Sequence, residues 1–482
     1  MGEAGSGGVP VPWRGAASAL VALALVAPLR ADELEVRLAT ARAELLRALE
    51  DHADWCQAKR LFLARKAVCE LLLELEPDHA EARKALGFTR EKGGAWKAPE
   101  KPKTFRDFDK EALGEEPARF QAAVAGYVTS LTEVLAAGGL GPAERERVGR
   151  AALRFAPDDA RLHELLGEVA SEQGWVLPET VQARAQRAVL REAVARALAE
   201  APAAAPVALN ERERRIPLHL EAVATARLRV VGTASPEELA LCARAVGALE
   251  RLAQTALASQ HHLPPETTIF LLSDPGHLAK FLEHHPAIRP EQHAYYQALE
   301  GAGIAGTADF AFWTGDMQRR IDGIVRLVLG YWISGAYQLQ VDCGFAYEGF
   351  GLFLTRSLVR TRLTWLAQPS KSLDAAADLA LRQRLIDPET NWMDEALRLC
   401  QEGRLPPMGP FVSKSASELS TEEVLHAYAL ATYLLEARPA AVPRLLERLG
   451  NGFARTQAFQ EAVGMDQDTF QRHFQRWLEE RR

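Results

Sequence analysis

The sequence predicts an α+β protein that is mostly α-helical. Residues 33–200 are rich in Ala, Leu, Glu and Arg, which favour helices, and their apolar positions recur at helical spacing. An Ala/Pro-rich segment at residues 201–206 interrupts this pattern. Strand-like runs then alternate with helices, and the chain ends in further helices. These observations predict a helical-repeat-like region, followed by a domain with a small mixed sheet and a C-terminal helical half.

Composition limits the class of protein. A chain of 482 residues favours two or three domains over one. Its 48% apolar and 25% charged residues are typical of a globular protein. The formal net charge of −7 gives no basic footprint for nucleic acid, so we expect no nucleic-acid partner. Composition does not indicate an oligomeric state.

The N-terminus has the pattern of a signal peptide, residues 1–31. Arg14 supplies a positive charge, residues 16–29 form an apolar run, and Ala31 precedes a plausible cleavage point at Asp32. We therefore expect an exported protein, periplasmic or extracellular. The alternative is an uncleaved anchor, although the run is shorter than the roughly 20 apolar residues of a membrane span. No second run of that length occurs, so no membrane span is expected after cleavage.

Residues 32–200 form the predicted helical region, and a motif occurs in it twice. In each copy a Pro is followed ten residues later by Gly and then by Trp, over residues 77–96 and 157–175. This spacing resembles the junction between tetratricopeptide repeats. Two copies are fewer than the three that usually make a stable array, so a plain helical bundle is an equal alternative.

Residues 201–216 are predicted to be a linker and residues 217–482 a second domain. Runs at 226–232, 267–273 and around 305–314 indicate strands. Ser235, Pro236 and Glu238 predict a helix start with a capping box.

Two apolar helices with a polar connection are predicted at residues 317–360. The second contains Tyr347-Glu348-Gly349-Phe350-Gly351. This segment resembles the Glu-Gly helix of gluzincin-type zinc peptidases, the peptidase MA-like domain. In that family a preceding helix carries His-Glu-x-x-His, which binds zinc and activates water, and the later Glu is the third ligand. The resemblance covers about residues 217–478 and implies the same order of strands and helices.

The zinc-binding motif itself is missing. In the best register Arg326, Leu327 and Gly330 stand where His, Glu and His belong, and no His-Glu-x-x-His occurs in the chain. The resemblance therefore implies a peptidase-like domain without catalytic residues, metal or cofactor. Glu348, Tyr347, Arg326 and Gly330 would be the remnant of its active site.

Two alternatives describe Arg326. It could place its guanidinium where the metal would lie and pair with Glu348, which neutralises a buried carboxylate. It could instead form a weak surface pair with Asp322, one helical turn earlier.

Cysteine and histidine patterns suggest no further site. The five cysteines are sparse and odd in number, and each is predicted to be a small buried apolar group. The His261-His262 and His284-His285 pairs lie near prolines, which favours exposed loops over a metal site.

Three functions remain open from the sequence. The first is an exported pseudopeptidase that binds a protein or peptide partner in the envelope. The second is a structural helical scaffold of the envelope. The third is an active hydrolase that uses Glu348 with Tyr347 and Asp342, for which neither a nucleophile nor an oxyanion donor is visible.

Overall fold

The computed structural model describes residues 31–92, 94–100, 104–299, 301–313, 317–360, 375–387 and 389–481. The predicted signal peptide therefore lies outside the described residues, apart from Ala31. The chain is 64% helical with 8% strand, which confirms a mostly α, α+β fold. Among the described helices, none combines the length and apolar character needed to cross a membrane.

The chain divides after Leu166 into two compact units. The elements of the first unit are α1 (Ala31–Ala58), α2 (Phe62–Leu75), α3 (Ala80–Leu86), β1 (Thr89–Arg90), β2 (Trp96–Lys97), α4 (Lys110–Ala137), α5 (Pro142–Leu153) and α6 (Ala160–Leu165). In the second unit, the elements up to the sheet's last strand are β3 (Val169–Ser171), β4 (Gly174–Val176), α7 (Pro178–Ala199), β5 (Ala205–Pro206), α8 (Glu211–Arg214), β6 (Glu221–Ala224), β7 (Arg229–Gly232), α9 (Pro236–Ala256), β8 (Thr268–Leu272), α10 (Pro275–His284), α11 (His293–Gln297), β9 (Gly301–Gly303) and β10 (Asp309–Trp313). The remaining helices are α12 (Met317–Tyr337), α13 (Gly344–Val359), α14 (Ala375–Ile386), α15 (Trp392–Gln401), α16 (Met408–Val412), α17 (Thr421–Ala437), α18 (Ala441–Gly450), α19 (Arg455–Val463) and α20 (Gln467–Glu480).

The recurring sequence motif corresponds to a recurring order of elements. A helix of 28 residues, a second helix, a short third helix and a two-stranded hairpin occur once from α1 to β2 and again from α4 to β4. The short helices start at similar caps, where His79 and Asp159 each accept a hydrogen bond from a backbone N–H in the first turn. In both hairpins the Trp is a paired strand residue, Trp96 with Arg90 and Trp175 with Ala170. Whether these copies are true tetratricopeptide repeats stays a prediction.

The predicted boundary at residue 200 differs from the division that the structure shows. Helix α7 belongs to the second unit, because its Ala183, Leu190 and Ala197 lie in that unit's core. Its first turn is also held there, since the Glu179 carboxylate accepts hydrogen bonds from the Tyr433 hydroxyl (2.9 Å) and His473 Nδ1 (2.7 Å). The predicted linker 201–216 likewise contains β5, the edge strand of the sheet, and α8. The Ala/Pro composition marks the change of pattern there but not a domain boundary.

The second unit contains a six-stranded mixed sheet in the order β5-β6-β7-β8-β10-β9. Strands β7, β8 and β10 run parallel to one another, and the other pairs are antiparallel. All five residues of β8 and of β10 are buried, as expected for strands covered on both faces. The core on one face includes residues of α9 and α12, and the core on the other includes residues of α10. The three predicted strands are β7, β8 and β10, whereas β9 lies in a Gly-rich segment at residues 301–306 for which no strand was predicted.

Helix α13 lies in the middle of the second unit's core, against α17. Eleven of its residues are buried, so this helix is covered by other elements on nearly all sides. A helix that is apolar on nearly all its faces is suited to this position. An added Cβ at Gly349 would overlap the backbone oxygen of Ala427, so the two helices approach closely at this glycine. The same helix carries Tyr347 and Glu348, and its burial fixes their position.

Helix α17 contains a histidine that is buried among aromatic rings. His426 is 0% exposed, and its ring lies 4.5 Å from the Phe411 ring and 5.4 Å from the Phe474 ring. Neither ring nitrogen has a hydrogen-bond partner within the described part of the chain. Burial lowers the pKa of His426 to about 3, so the ring is neutral in the folded protein at physiological pH.

Replacing His426 with Leu should flatten the dependence of stability on pH. The pKa of His426 is about 3 when folded and 6.5 when exposed, so the unfolded chain binds more protons between these values. The wild type should therefore lose stability as pH falls from 6.5, by up to about 1.4 kcal/mol per pH unit from this group. Denaturant unfolding at neutral and mildly acidic pH measures the difference between the two proteins.

The control for this experiment is His219→Leu, because the His219 side chain is 96% exposed. This variant should keep the wild-type pH dependence. If His426→Leu lost as much stability on acidification as the wild type, the buried neutral histidine would not be the cause.

Candidate functional site

Helices α12 and α13 bring Arg326 and Glu348 together. Arg326 Nη2 lies 3.0 Å from Glu348 Oε2, and the two side chains are 1% and 8% exposed. Of the two alternatives for Arg326, the structure thus contains the pair with Glu348. Asp322 and Arg326 are each only 1% exposed, so the alternative of a pair between them on the helix surface is wrong.

The Arg326 guanidinium has three polar or aromatic neighbours. Besides the ionic contact with Glu348, its Nη2 donates a hydrogen bond to the backbone oxygen of Tyr347 at 3.0 Å. Its Cζ also lies 4.7 Å from the centre of the Tyr347 ring, within the range of a cation–π interaction. Within the described residues, Nε and Nη1 have no hydrogen-bond partner. The buried cation is therefore held mainly by one carboxylate and one aromatic ring.

The charge states follow from burial and from these neighbours. Burial alone would lower the pKa of Arg326, but the Glu348 charge and the contacts with Tyr347 outweigh it and raise the pKa. Burial raises the pKa of the Tyr347 hydroxyl, partly offset by Arg326. At physiological pH the site therefore holds a permanent cation and a neutral phenol.

Two glycines make room for this arrangement. A Cβ on Gly351 would overlap the Arg326 guanidinium, and a Cβ on Gly330 would overlap the Tyr347 hydroxyl. The guanidinium occupies the space beside α13, and the phenol occupies the space beside α12. Arg326 thus contacts Glu348 and Tyr347, and the Tyr347 hydroxyl lies beside Gly330. The four residues of the predicted remnant therefore form one connected group.

The residues present do not fit the zinc ion that gluzincin-type peptidases bind. The resemblance would place the first zinc ligand at position 326, but the positive charge of Arg326 repels a cation and pairs with the carboxylate that would bind it. The second position is Gly330, where any side chain would collide with Tyr347. Glu348 is the single carboxylate in contact with Arg326 that the structure shows. No metal-dependent step can therefore be assigned to this site.

The N-terminal end of α12 is fixed by a second buried ion pair. Arg320, 5% exposed, donates from Nε to Glu238 Oε1 at 2.7 Å. Ser235 caps α9 as predicted, accepting from the Glu238 N–H at 3.3 Å. The predicted capping box at this start is nevertheless wrong in one part, because the Glu238 side chain binds Arg320 on α12. A local sequence pattern cannot reveal such a distant partner.

The histidine and cysteine predictions hold only in part. Cys56, Cys69, Cys242 and Cys343 are buried, and all five cysteines are free. His285, predicted to be exposed, is 2% exposed and lies 3.0 Å from the Asp309 carboxylate.

One group of potential metal ligands was missed by sequence analysis. His52, Cys56 and Glu116 lie together in the first unit. The signal available in the sequence was the i, i+4 spacing of His52 and Cys56 on a predicted helix, which places both on one face. Glu116 is distant in sequence, so its contribution depends on the packing of α1 against α4.

Comparison with known proteins gives no assignment. The chain matches no protein-family model, no curated protein and no solved structure. The function must therefore be inferred from the side chains of the site.

Removing one partner of the Arg326–Glu348 pair should strongly destabilise the second unit. Arg326→Met leaves a buried carboxylate without its cation, and Glu348→Gln leaves a buried cation, so each should cost about 3–5 kcal/mol. The double variant Arg326→Met/Glu348→Gln should cost much less than the sum of the two, because no charge remains buried. Denaturant unfolding of the four proteins gives the coupling energy.

A surface ion pair serves as the control for this cycle. Arg196 and Glu192 lie on α7 and are 61% and 70% exposed. Glu192→Gln should change stability by less than about 1 kcal/mol. Additive effects at Arg326 and Glu348 would show that the two side chains do not interact in solution.

Proposed function

We propose that this protein is an exported, non-catalytic relative of zinc peptidases that binds a protein or peptide partner. The observation that carries the non-catalytic part is the buried contact between Arg326 and Glu348. It ties up the only carboxylate that the resemblance assigns to zinc. Tyr347 further occupies the space that a second ligand would need.

The geometry argues against hydrolysis by Glu348 with Tyr347 and Asp342. A general base must be free to accept a proton from water, whereas the Glu348 carboxylate is buried against a permanent cation. Asp342 is 72% exposed and lies 3.3 Å from Arg455 at Nη2. Burial raises the pKa of Tyr347, which weakens it as an acid. These groups lack the arrangement of an acid–base pair.

Partner binding is supported by features of the first unit. Its helical pairs recur along the chain, as in proteins that bind others through stacked helices. Two large apolar side chains are exposed there, Leu63 at 53% and Phe108 at 58%. Their segments are adjacent, because the Leu63 N–H donates to the Asp107 carboxylate at 2.7 Å. Contiguous exposed apolar patches mark binding surfaces, and we propose that Leu63 and Phe108 contribute to one.

The first experiment tests the non-catalytic site. The purified mature protein, supplied with zinc, should show no hydrolysis of a mixed peptide library above a blank. Glu348→Gln, which keeps the shape of the side chain, should change neither hydrolysis nor the zinc content measured by elemental analysis. Peptide hydrolysis or zinc binding that disappears in Glu348→Gln would contradict the proposal.

The second experiment tests the partner surface. A photo-crosslinking amino acid at position 108 should yield a discrete adduct in cells that produce the protein, because Phe108 is exposed beside Leu63. The same amino acid at position 241 is the control, since Leu241 is 44% exposed on α9 of the second unit. No adduct at 108, or the same adducts at both positions, would favour a structural scaffold.

A further inference from the structure

Three potential metal ligands converge between α1 and α4 in the first unit. We call His52, Cys56 and Glu116 the His52 cluster. His52 Nε2 lies 3.1 Å from Glu116 Oε1 and 3.7 Å from Cys56 Sγ. All three ligand atoms lie within 4.8 Å of one another. The cluster thus brings a nitrogen, a sulfur and an oxygen ligand atom close together.

These separations are close to those of a tetrahedral zinc site. Zinc binds His nitrogen and carboxylate oxygen at about 2.0–2.2 Å and thiolate sulfur at about 2.3 Å. At tetrahedral angles these bond lengths place nitrogen and oxygen about 3.3 Å apart and nitrogen and sulfur about 3.6 Å apart. The observed 3.1 Å and 3.7 Å differ from these values by a few tenths of an ångström. An ion could therefore enter with small side-chain movements.

The fold holds the His52 cluster in place. His52 and Cys56 share one face of α1 because they are four residues apart, and they are 2% and 0% exposed. The His52 ring contacts the rings of Trp55 and Phe120, with centroids 5.7 Å and 5.6 Å away, which restricts its orientation. The Glu116 side chain is 20% exposed, so the cluster reaches the surface on the side of α4. A buried, oriented set with one solvent-accessible member is suited to capture an ion.

We propose that His52 Nε2, Cys56 Sγ and a Glu116 carboxylate oxygen bind one Zn²⁺ ion, with water as the fourth ligand. Zinc is the cation that best suits a mixed nitrogen, sulfur and oxygen set at tetrahedral spacing. The site is separate from Arg326 and Glu348 and does not depend on the function proposed above. Three protein ligands and one open position distinguish it from a closed structural zinc site.

Without metal, hydrogen bonds take the place of the ion. The His52 ring interacts with Glu116, and the Cys56 thiol interacts with the same ring nitrogen. Burial, Glu116 and Asp107 raise the pKa of Cys56 to about 11, so this thiol keeps its proton in the metal-free protein. Zinc would replace that proton, which leaves to solvent.

The surroundings of the second ring nitrogen of His52, Nδ1, indicate that a bound ion would be exchangeable. Histidine ligands usually donate their second ring nitrogen to an acceptor, which strengthens metal binding. In the described residues, His52 Nδ1 has no such partner. We therefore expect a chelator to remove the ion while the helical unit stays folded.

Zinc titration of the chelator-treated full chain tests the site. The wild type should bind one equivalent in competition with a chromophoric chelator. Cys56→Ser and Glu116→Gln should each weaken binding at least about tenfold, since even supporting residues behind a ligand contribute that much. Cobalt in place of zinc should give a thiolate-to-metal absorption band that Cys56→Ser abolishes.

Matched variants separate this site from other groups. Cys69→Ser removes another buried thiol of the same unit, and Glu50→Gln alters a His–Glu pair without a thiol, in which Glu50 lies 2.7 Å from His79. Both variants and Glu348→Gln should bind zinc as the wild type does. Circular dichroism checks that each variant is folded. If Cys56→Ser does not fold, Glu116→Gln still tests the site, because the Glu116 side chain is partly exposed. A wild type that binds no zinc, or Cys56→Ser and Glu116→Gln variants that bind zinc as tightly as the wild type, would overturn the proposal.

Discussion

The packing of α12 against α13 depends on the burial of the positive charge of Arg326. Arg326 cannot lose its proton under ordinary conditions, so its transfer from water to the core requires an anion in contact. Glu348 supplies that anion from α13, and Tyr347 adds the face of its ring. The pair therefore fixes how α12 and α13 lie against each other, because any shift would separate the charges in a medium of low dielectric constant.

Further contacts hold the same helices in the core. Near its start, α12 is joined to α9 by Arg320 and Glu238, and near its end the Tyr337 hydroxyl donates to the backbone oxygen of Leu257. On its other side, α13 approaches α17 closely at Gly349. These contacts keep Arg326 and Glu348 from separating. They explain how the unit can tolerate a pair whose hydrogen bonding is incomplete.

The polar clusters of the two units differ in how their side chains are arranged. At Arg326 and Glu348 a guanidinium and a phenol fill the space beside Gly351 and Gly330, and the buried cation has a carboxylate in contact. In the His52 cluster three potential ligand atoms lie within 4.8 Å of one another. The first arrangement is suited to stability and the second to capture of an ion. A metal-related role is therefore better supported in the helical unit than in the unit whose sequence resembles a peptidase.

The sequence by itself determined the class of fold, the helix start at Ser235 and the strands β7, β8 and β10. Their signals are local, since apolar periodicity and caps such as Ser235 and Asp159 act within a few residues. The sequence also showed that positions 326 and 330, where the resemblance would place zinc ligands, hold Arg and Gly, because that conclusion needs only residue types. It identified Glu348 as a candidate partner of Arg326 but could not choose it over Asp322.

Only the tertiary structure decided that choice, the division after Leu166 and the members of the His52 cluster. Each depends on side chains far apart in the chain, such as Glu179 with His473 or His52 with Glu116. Distances between such groups are set by how helices pack, and helix packing follows from the shapes of whole surfaces. Local sequence patterns do not specify that geometry. They therefore predict the helices and strands but not the contacts between them.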